Sequence, residues 1–201
     1  MTRDDVSGEA FPFRTAKTVD IGGAPVLAQR ITYVGELGYE LYLPRQWAVQ
    51  VWDALMRAAS PEPVGYTALD SLRIEKGYRY FGADMTSSDT PFEAGVGFCV
   101  AQEKWPELDR SPEARLRTIL VGEHDYLSVY GGEAVHAAGD VVGRVRSAAY
   151  GFTVKRNVAL AKLPAVFAEG AEVNVDVLGR LVPAIVAPDA IYDPAQERAR
   201  S

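Results

Sequence analysis

Tyr33, Glu40 and Arg73 are the residues whose types and spacing point most directly to chemistry. A carboxylate such as Glu40 can accept two parallel N–H bonds from a guanidine-like or amidine-like group, and aromatic neighbours that exclude water strengthen those bonds. Arg73 offers a fork of paired donors suited to a ligand carboxylate or carbonyl. Tyr33, Tyr39, Tyr42, Tyr66, Tyr78 and Tyr80 surround these charges in the sequence, as an amphipathic pocket requires, although tyrosines also fill ordinary cores. Each charge has a plainer reading too. Glu40 can pair with Arg30 or another surface cation, and Arg73 with Asp70 or Glu75 at helical spacing, a weak interaction when exposed.

Other chemistries find less support. His124 and His136, the only histidines, lack a third ligand at zinc spacing. Ser71 has no neighbouring histidine to activate it, and Gly35, Gly38 and Gly77 fit no dinucleotide or P-loop pattern. Cys99 is the only cysteine, which excludes an internal disulfide and a C-x-x-C pair. The 201 residues hold 21 Lys and Arg against 27 Asp and Glu, a net charge of -6 that repels a phosphate backbone or an anionic membrane. Neither nucleic acid nor membrane is therefore expected as a partner. Residues 1–10 carry Asp4, Asp5 and Glu9 and no apolar run, unlike a signal peptide, and a cytoplasmic location is expected.

The positioning elements follow from periodicity. Alternation predicts strands over 29–34 and 39–43, joined through Gly35–Gly38 as a tight hairpin that sets Tyr33 and Glu40 at one end of a sheet. A turn is predicted at Gly22-Gly23-Ala24-Pro25. Apolar recurrence at three and four predicts a helix over 46–59, with Ala48, Val51, Trp52, Leu55, Met56 and Ala59 facing inward. A second helix is predicted over 67–76, with Thr67 and Asp70 as a capping box and Gly77 as a left-handed stop. Ala68, Leu69 and Leu72 are expected to face inward and Arg73 to project from the rim.

Residues 96–100 read as strand-like, and 102–112 as a polar linker. Strands then come thickly: 115–121, 126–130, 133–136, 141–148, 157–162, 171–177 and 181–186. The expected fold class is α+β, an antiparallel sheet with flanking helices followed by a small C-terminal β-barrel-like domain. The expected organisation is a flexible leader over 1–12, an α+β domain over 13–104 and a barrel-like domain over 105–201 with a fraying tail.

Segment 30–44, RITYVGELGYELYLP, resembles the YxGExGxE segment of the glycine-cleavage T-protein (aminomethyltransferase) family. Segment 68–84, ALDSLRIEKGYRYFGAD, with TPFEAGVG at 90–97, is similar to the version found in the folate domains of dimethylglycine and sarcosine dehydrogenases and oxidases. ALDS has Leu69 where T-proteins often have arginine, which leans toward that branch. Segments 149–161, AYGFTVKRNVALA, and 191–194, IYDP, resemble further segments of the same family. The resemblance implies an α+β fold ending in a barrel and a pterin ring held by Glu40 and aromatic neighbours including Tyr33, with Arg73 helping to hold the cofactor.

It implies tetrahydrofolate as cofactor and a transferase forming 5,10-methylenetetrahydrofolate from a small N-methylated or aminomethyl donor. Because the match covers only the family's later half, the family's first domain and its folate-activating aspartate have no counterpart here. The expected partner is accordingly an N-terminal domain in trans or a flavoprotein dehydrogenase. A non-catalytic docking module of a flavin-dependent demethylating assembly is the alternative, and a methyltransferase using another cofactor a third.

Overall fold

The structure, a computed structural model, describes residues 2–108 and 110–201. The chain divides into two units, Met1–Leu69 with Ala195–Ser201, and Asp70–Pro194. The division falls inside a helix, because the second half of that helix supplies buried residues to the second unit.

In the first unit, β1 (Ala16–Ile21), β2 (Ala24–Gln29) and β3 (Glu40–Tyr42) form an antiparallel sheet in that order. Val19, Ile21, Ala24, Val26 and Ala28 alternate onto its buried face, where they meet Val51 and Ala54 of α1 (Ala48–Ala59). The β1–β2 turn is at Gly22 and Gly23, both with positive φ, as the paired glycines predict. The long strand expected over 29–34 is not there. It ends at Gln29, and Thr32 Oγ1 accepts the Val34 and Gly35 amides at 3.2 and 3.1 Å, closing a local turn that competes with sheet pairing.

Helix α1 buries Val51 and half-buries Leu55 and Met56 as expected, but Ala48, Trp52 and Ala59 are exposed and Ala54 is buried in their stead. The stretch read as a leader is packed: Phe11 is 1% exposed in the core, and Asp4 accepts the Asp20 amide at 2.7 Å. The tail forms α3 (Glu197–Arg200) with Ala199 buried.

Helix α2 (Tyr66–Glu75) ends on Gly77 as expected, with Tyr78 N–H bonded to Arg73 O and Gly77 N–H to Ile74 O. Its buried face is not the expected one. Ala68 is exposed, Leu69 and Leu72 half-buried, and Ser71, Arg73, Ile74 and Glu75 buried. Residues 96–100 form a 3-10 turn over Gly97–Cys99 instead of a strand, and Gln102–Glu107 a second 3-10 segment.

Six strands close the barrel of the second unit: β4 (Ala114–Val121), β5 (Ala134–Ala137), β6 (Asp140–Gly151), β7 (Arg156–Pro164), β8 (Glu172–Val177) and β9 (Arg180–Val186), in the order β4-β7-β6-β5-β8-β9. Strand β7 is buried on both faces. Ala159, Ala161 and Leu163 point into the barrel, while Val158 and Leu160 pack outside it with Ile74 of α2 and Leu116. The expected strand over 126–130 is absent because buried Asn157 takes its place: Oδ1 accepts the Leu127 amide, and Nδ2 donates to the carbonyls of Val121 and Asp125.

Candidate functional site

The pairs Ala28↔Leu41 and Gln29↔Glu40 turn Leu41 toward the core and leave Glu40 and Tyr42 on the opposite face of the sheet. Tyr42 Oη donates to Glu40 Oε2 at 2.5 Å. That bond, then burial and the carboxylate's charge, raise the Tyr42 pKa above the ordinary phenol value. Gln29, paired with Glu40, and Leu27, paired with Tyr42 and exposed, share this face.

The cation of the plainer reading is committed elsewhere. Arg30 is 1% exposed and donates to the carbonyls of Phe11, at 2.7 Å, and Ser201. Among the described residues Glu40 has no ion pair and Oε1 accepts no hydrogen bond. An uncompensated carboxylate aligned by one phenol can accept the adjacent N–H donors of a planar ligand. Tyr33 lies half-buried in the loop between β2 and β3, so strand alternation does not place it. Tyr42 is one of the tyrosines that the sequence sets around these charges, and its i, i+2 relation to Glu40 puts both on one face; that its phenol bonds the carboxylate is decided by the structure.

Arg73, in the second unit, is 2% exposed, not at a rim. Its Nε donates to Asp70 Oδ1 at 3.0 Å, Nη1 to the Tyr78 carbonyl at 3.1 Å and to Asp84 Oδ2, and Nη2 to Ser147 Oγ at 3.1 Å. Asp84, itself fully buried, also accepts the Tyr80 amide and the Ser147 hydroxyl. Four of the five guanidinium N–H groups are thus spent inside the unit.

The rest of the motif is equally inward. Glu75 Oε1 accepts the Thr153 and Val154 amides at 2.8 and 3.2 Å, which shapes the turn between β6 and β7. Lys76 donates to the Asp193 carbonyl at 2.7 Å and to Oδ2 at 2.9 Å, so the EKG and YDP segments bind each other. Gly77 is required twice, by its φ of 64° and because a Cβ would stand 2.1 Å from the Asp189 carbonyl oxygen.

The TPFE segment closes as a capping box: Glu93 accepts the Thr90 amide and Thr90 Oγ1 accepts the Glu93 amide. Lys162 reaches Asp89 Oδ1 at 2.7 Å and Glu93 Oε1 at 3.1 Å. Burial raises the Asp89 pKa, but the Lys162 and Thr86 hydrogen bonds outweigh it and the net shift is downward. Glu93 is lowered by the Thr90 amide and then by Lys162. For Lys162 burial acts downward, and bonds to Asp89 and Glu93 reverse it, leaving the pKa raised.

Depressed carboxylates stabilise the fold above their ordinary values near about 4, and that contribution is lost as pH falls through the folded values. A raised lysine stabilises it below about 10.5 and loses that as pH rises through the folded value. Urea midpoints should accordingly fall with acidification below about pH 5, and Lys162→Met should flatten that fall. An unchanged acid limb in the variant would remove Lys162 from this role.

Among the described residues no group of three or more His, Cys, Asp or Glu could hold a metal ion, and no helix is long and apolar enough to cross a membrane.

Comparison with known proteins gives two family matches, the GCVT N-terminal domain over residues 1–104 and the glycine cleavage T-protein C-terminal barrel domain over 115–193. Mitochondrial sarcosine dehydrogenase of Homo sapiens is 40% identical over 166 residues, 77% of this chain and 18% of that protein. Mitochondrial dimethylglycine dehydrogenase of Homo sapiens is 31% identical over 213 residues, 98% of this chain and 25% of that protein. The chain therefore spans about a quarter or less of the length of these relatives. The crystal structure of glycine cleavage system aminomethyltransferase T from Bartonella henselae shares the fold at a TM-score of 0.81 and 22% identity, over 94% of this chain and 55% of that one. From these two matches, and from an α+β region followed by a closed barrel, the chain belongs to the glycine-cleavage T-protein (aminomethyltransferase) family and is homologous to a segment of the sarcosine and dimethylglycine dehydrogenases.

Proposed function

We propose that this chain binds tetrahydrofolate through Glu40 and serves one-carbon transfer from a small N-methylated or aminomethyl donor. The observation that carries the reading is Glu40 itself: a carboxylate on an open sheet face, aligned by Tyr42 and lacking any internal cation. The fit is chemical, since a pterin presents adjacent N–H donors on a flat apolar ring, and the Glu40 face offers acceptors beside Leu27 and Tyr42. Tyr33 is assigned to the same binding role as an aromatic neighbour.

When bound, tetrahydrofolate would supply the amine that accepts the one-carbon unit. The chain's own residues bind and orient: Glu40 accepts the ring N–H groups, and Tyr42 keeps the carboxylate in one rotamer. Orientation of this kind contributes more to such a transfer than a strong side-chain acid. Arg73, with its donors occupied internally, is assigned a positioning role: it holds Asp84 and the Tyr78–Asp84 segment and does not grip the cofactor. The chain's relatives are several times longer, so the complete reaction is assigned to an assembly in which an N-terminal domain or a flavin-bearing dehydrogenase accompanies this chain.

Anaerobic titration of the chain with tetrahydrofolate, followed by intrinsic fluorescence, tests the binding. Losing charge-assisted hydrogen bonds is worth about 1.5–3 kcal/mol, so Glu40→Ala should raise Kd roughly 10- to 150-fold with an unchanged melting temperature. Equal affinity in parent and variant would remove Glu40 from the site. No binding by either would favour the docking-module reading.

A further inference from the structure

The outer wall of the barrel carries a groove that the folate reading does not use. It measures about 440 Å³ and is lined by Ala83, Gly132, Arg144, Val145, Arg146 and Lys162. Three of these six residues are cations, in a chain whose net charge is -6.

Their placement is unusual for a sheet. Arg144 and Lys162 are direct cross-strand partners on β6 and β7, flanked by the inward pair Val145↔Ala161, so both point outward from neighbouring positions. Like charges directly opposite each other repel and are disfavoured unless an anion lies between them. A bulge between Val145 and Ser147 makes Arg146 the extra residue of β6, and bulges re-aim side chains in this way.

The acidic neighbours compensate part of the set, Lys162 above all, and leave Arg144 without an ion pair among the described residues. Asp89 and Glu93 are both engaged by Lys162. Among the described residues Arg146 has one ion pair, a 3.9 Å approach to Asp89 Oδ1, which is already bonded to Lys162, and Glu133 turns an oxygen to the Tyr130 amide at 3.1 Å. Arg144 has no ion pair among the described residues; its Nη1 is tied to the Gly132 carbonyl at 2.9 Å, which orients the fork and leaves the other N–H groups to face outward.

The floor beneath is rigid. Ala83 precedes Asp84 and Arg146 precedes Ser147, and both Asp84 and Ser147 are bonded to Arg73. Two guanidiniums two residues apart on β6, one of them oriented by the Gly132 carbonyl, suit recognition of an oxyanion.

We infer that this groove binds a small polyanion, carrying two or more carboxylate or phosphate groups, between Arg144 and Arg146. The chain's overall negative charge repels anions, so affinity here requires the local arrangement and not the net field.

Calorimetric titration of the full chain with citrate and, separately, with pyrophosphate at low salt tests the site. At least one should bind with 1:1 stoichiometry, citrate the tighter if carboxylates are the natural ligand and pyrophosphate if phosphates are. The double variant Arg144→Gln, Arg146→Gln should weaken that binding at least tenfold, while Arg180→Gln, at the exposed start of β9, should leave it within twofold. The substituted side chains point outward, and an unchanged melting temperature verifies the fold. Failure of both anions to bind, or an equal loss in the Arg180 variant, overturns the proposal. Tetrahydrofolate binding through Glu40 is measured separately and is unaffected by either result.

Discussion

Arg73→Ala should unfold roughly 10 °C below the parent chain. Removing one partner of a buried ion pair costs about 3–5 kcal/mol, and each kcal/mol shifts the melting temperature by about 2–4 °C in a chain of this size. The Asp84 side chain is fully buried, so its carboxylate would lose a cation with no water to replace it. Three further bonds, to Asp70, the Tyr78 carbonyl and Ser147, disappear with the same guanidinium.

Arg73→Lys should recover less than half of the loss, because one ammonium cannot reach four partners spread around a planar fork. Adding Asp84→Asn to Arg73→Ala should restore about 1–3 kcal/mol by removing the stranded charge, a coupling readable by calorimetry in a double-mutant cycle. A drop of less than about 2 °C for Arg73→Ala would show that the network contributes little. A loss of folate affinity without a loss of stability would return Arg73 to the binding site.

Glu75→Ala should be destabilising by about 3 kcal/mol. The side chain is fully buried, and its Oε1 is the acceptor for two consecutive amides of the turn between β6 and β7. Truncation leaves both N–H groups unsatisfied and opens a cavity next to Val154, and these two effects together give a loss of that size. Hydrogen exchange at Thr153 and Val154 should accelerate selectively.

Glu75→Gln should behave differently. Its carbonyl oxygen still accepts the two amides, and an amide nitrogen takes the place of the unpartnered Oε2 with no cavity opened, so the loss should be less than half that of Glu75→Ala. Gly151→Ala supplies an independent check, since its Cβ would lie 2.6 Å from Glu75 Oε1 and would have to displace it. Ordinary exchange at Thr153 in Glu75→Ala would mean that the turn holds itself.

Much of the architecture was legible before any coordinates. Period-two alternation located six of the seven strands expected after residue 112, and period 3.6 located α1. The exception, 126–130, carries strand-like residues, yet its backbone is served by one asparagine side chain some thirty residues away. Glu40 could be put on the non-core face because side-chain direction alternates strictly along a strand, and β3 keeps that alternation.

The fate of the charged motif was not legible. Arg73, Glu75 and Lys76 read as the exposed end of a helix, and local spacing makes Arg73 and Asp70 an ordinary surface pair. In the fold all three are buried, and their partners Asp84, Ser147, the 153–154 amides and Asp193 lie 11, 74, 78 or more and 117 residues away. Sequence by itself determined the fold class, the strand and helix periods and the face on which Glu40 stands, because these depend on neighbours along the chain. Only the tertiary structure decided that Arg73 is an internal lock and that Arg144 and Lys162 stand side by side, because charge compensation depends on which distant groups the barrel brings within reach.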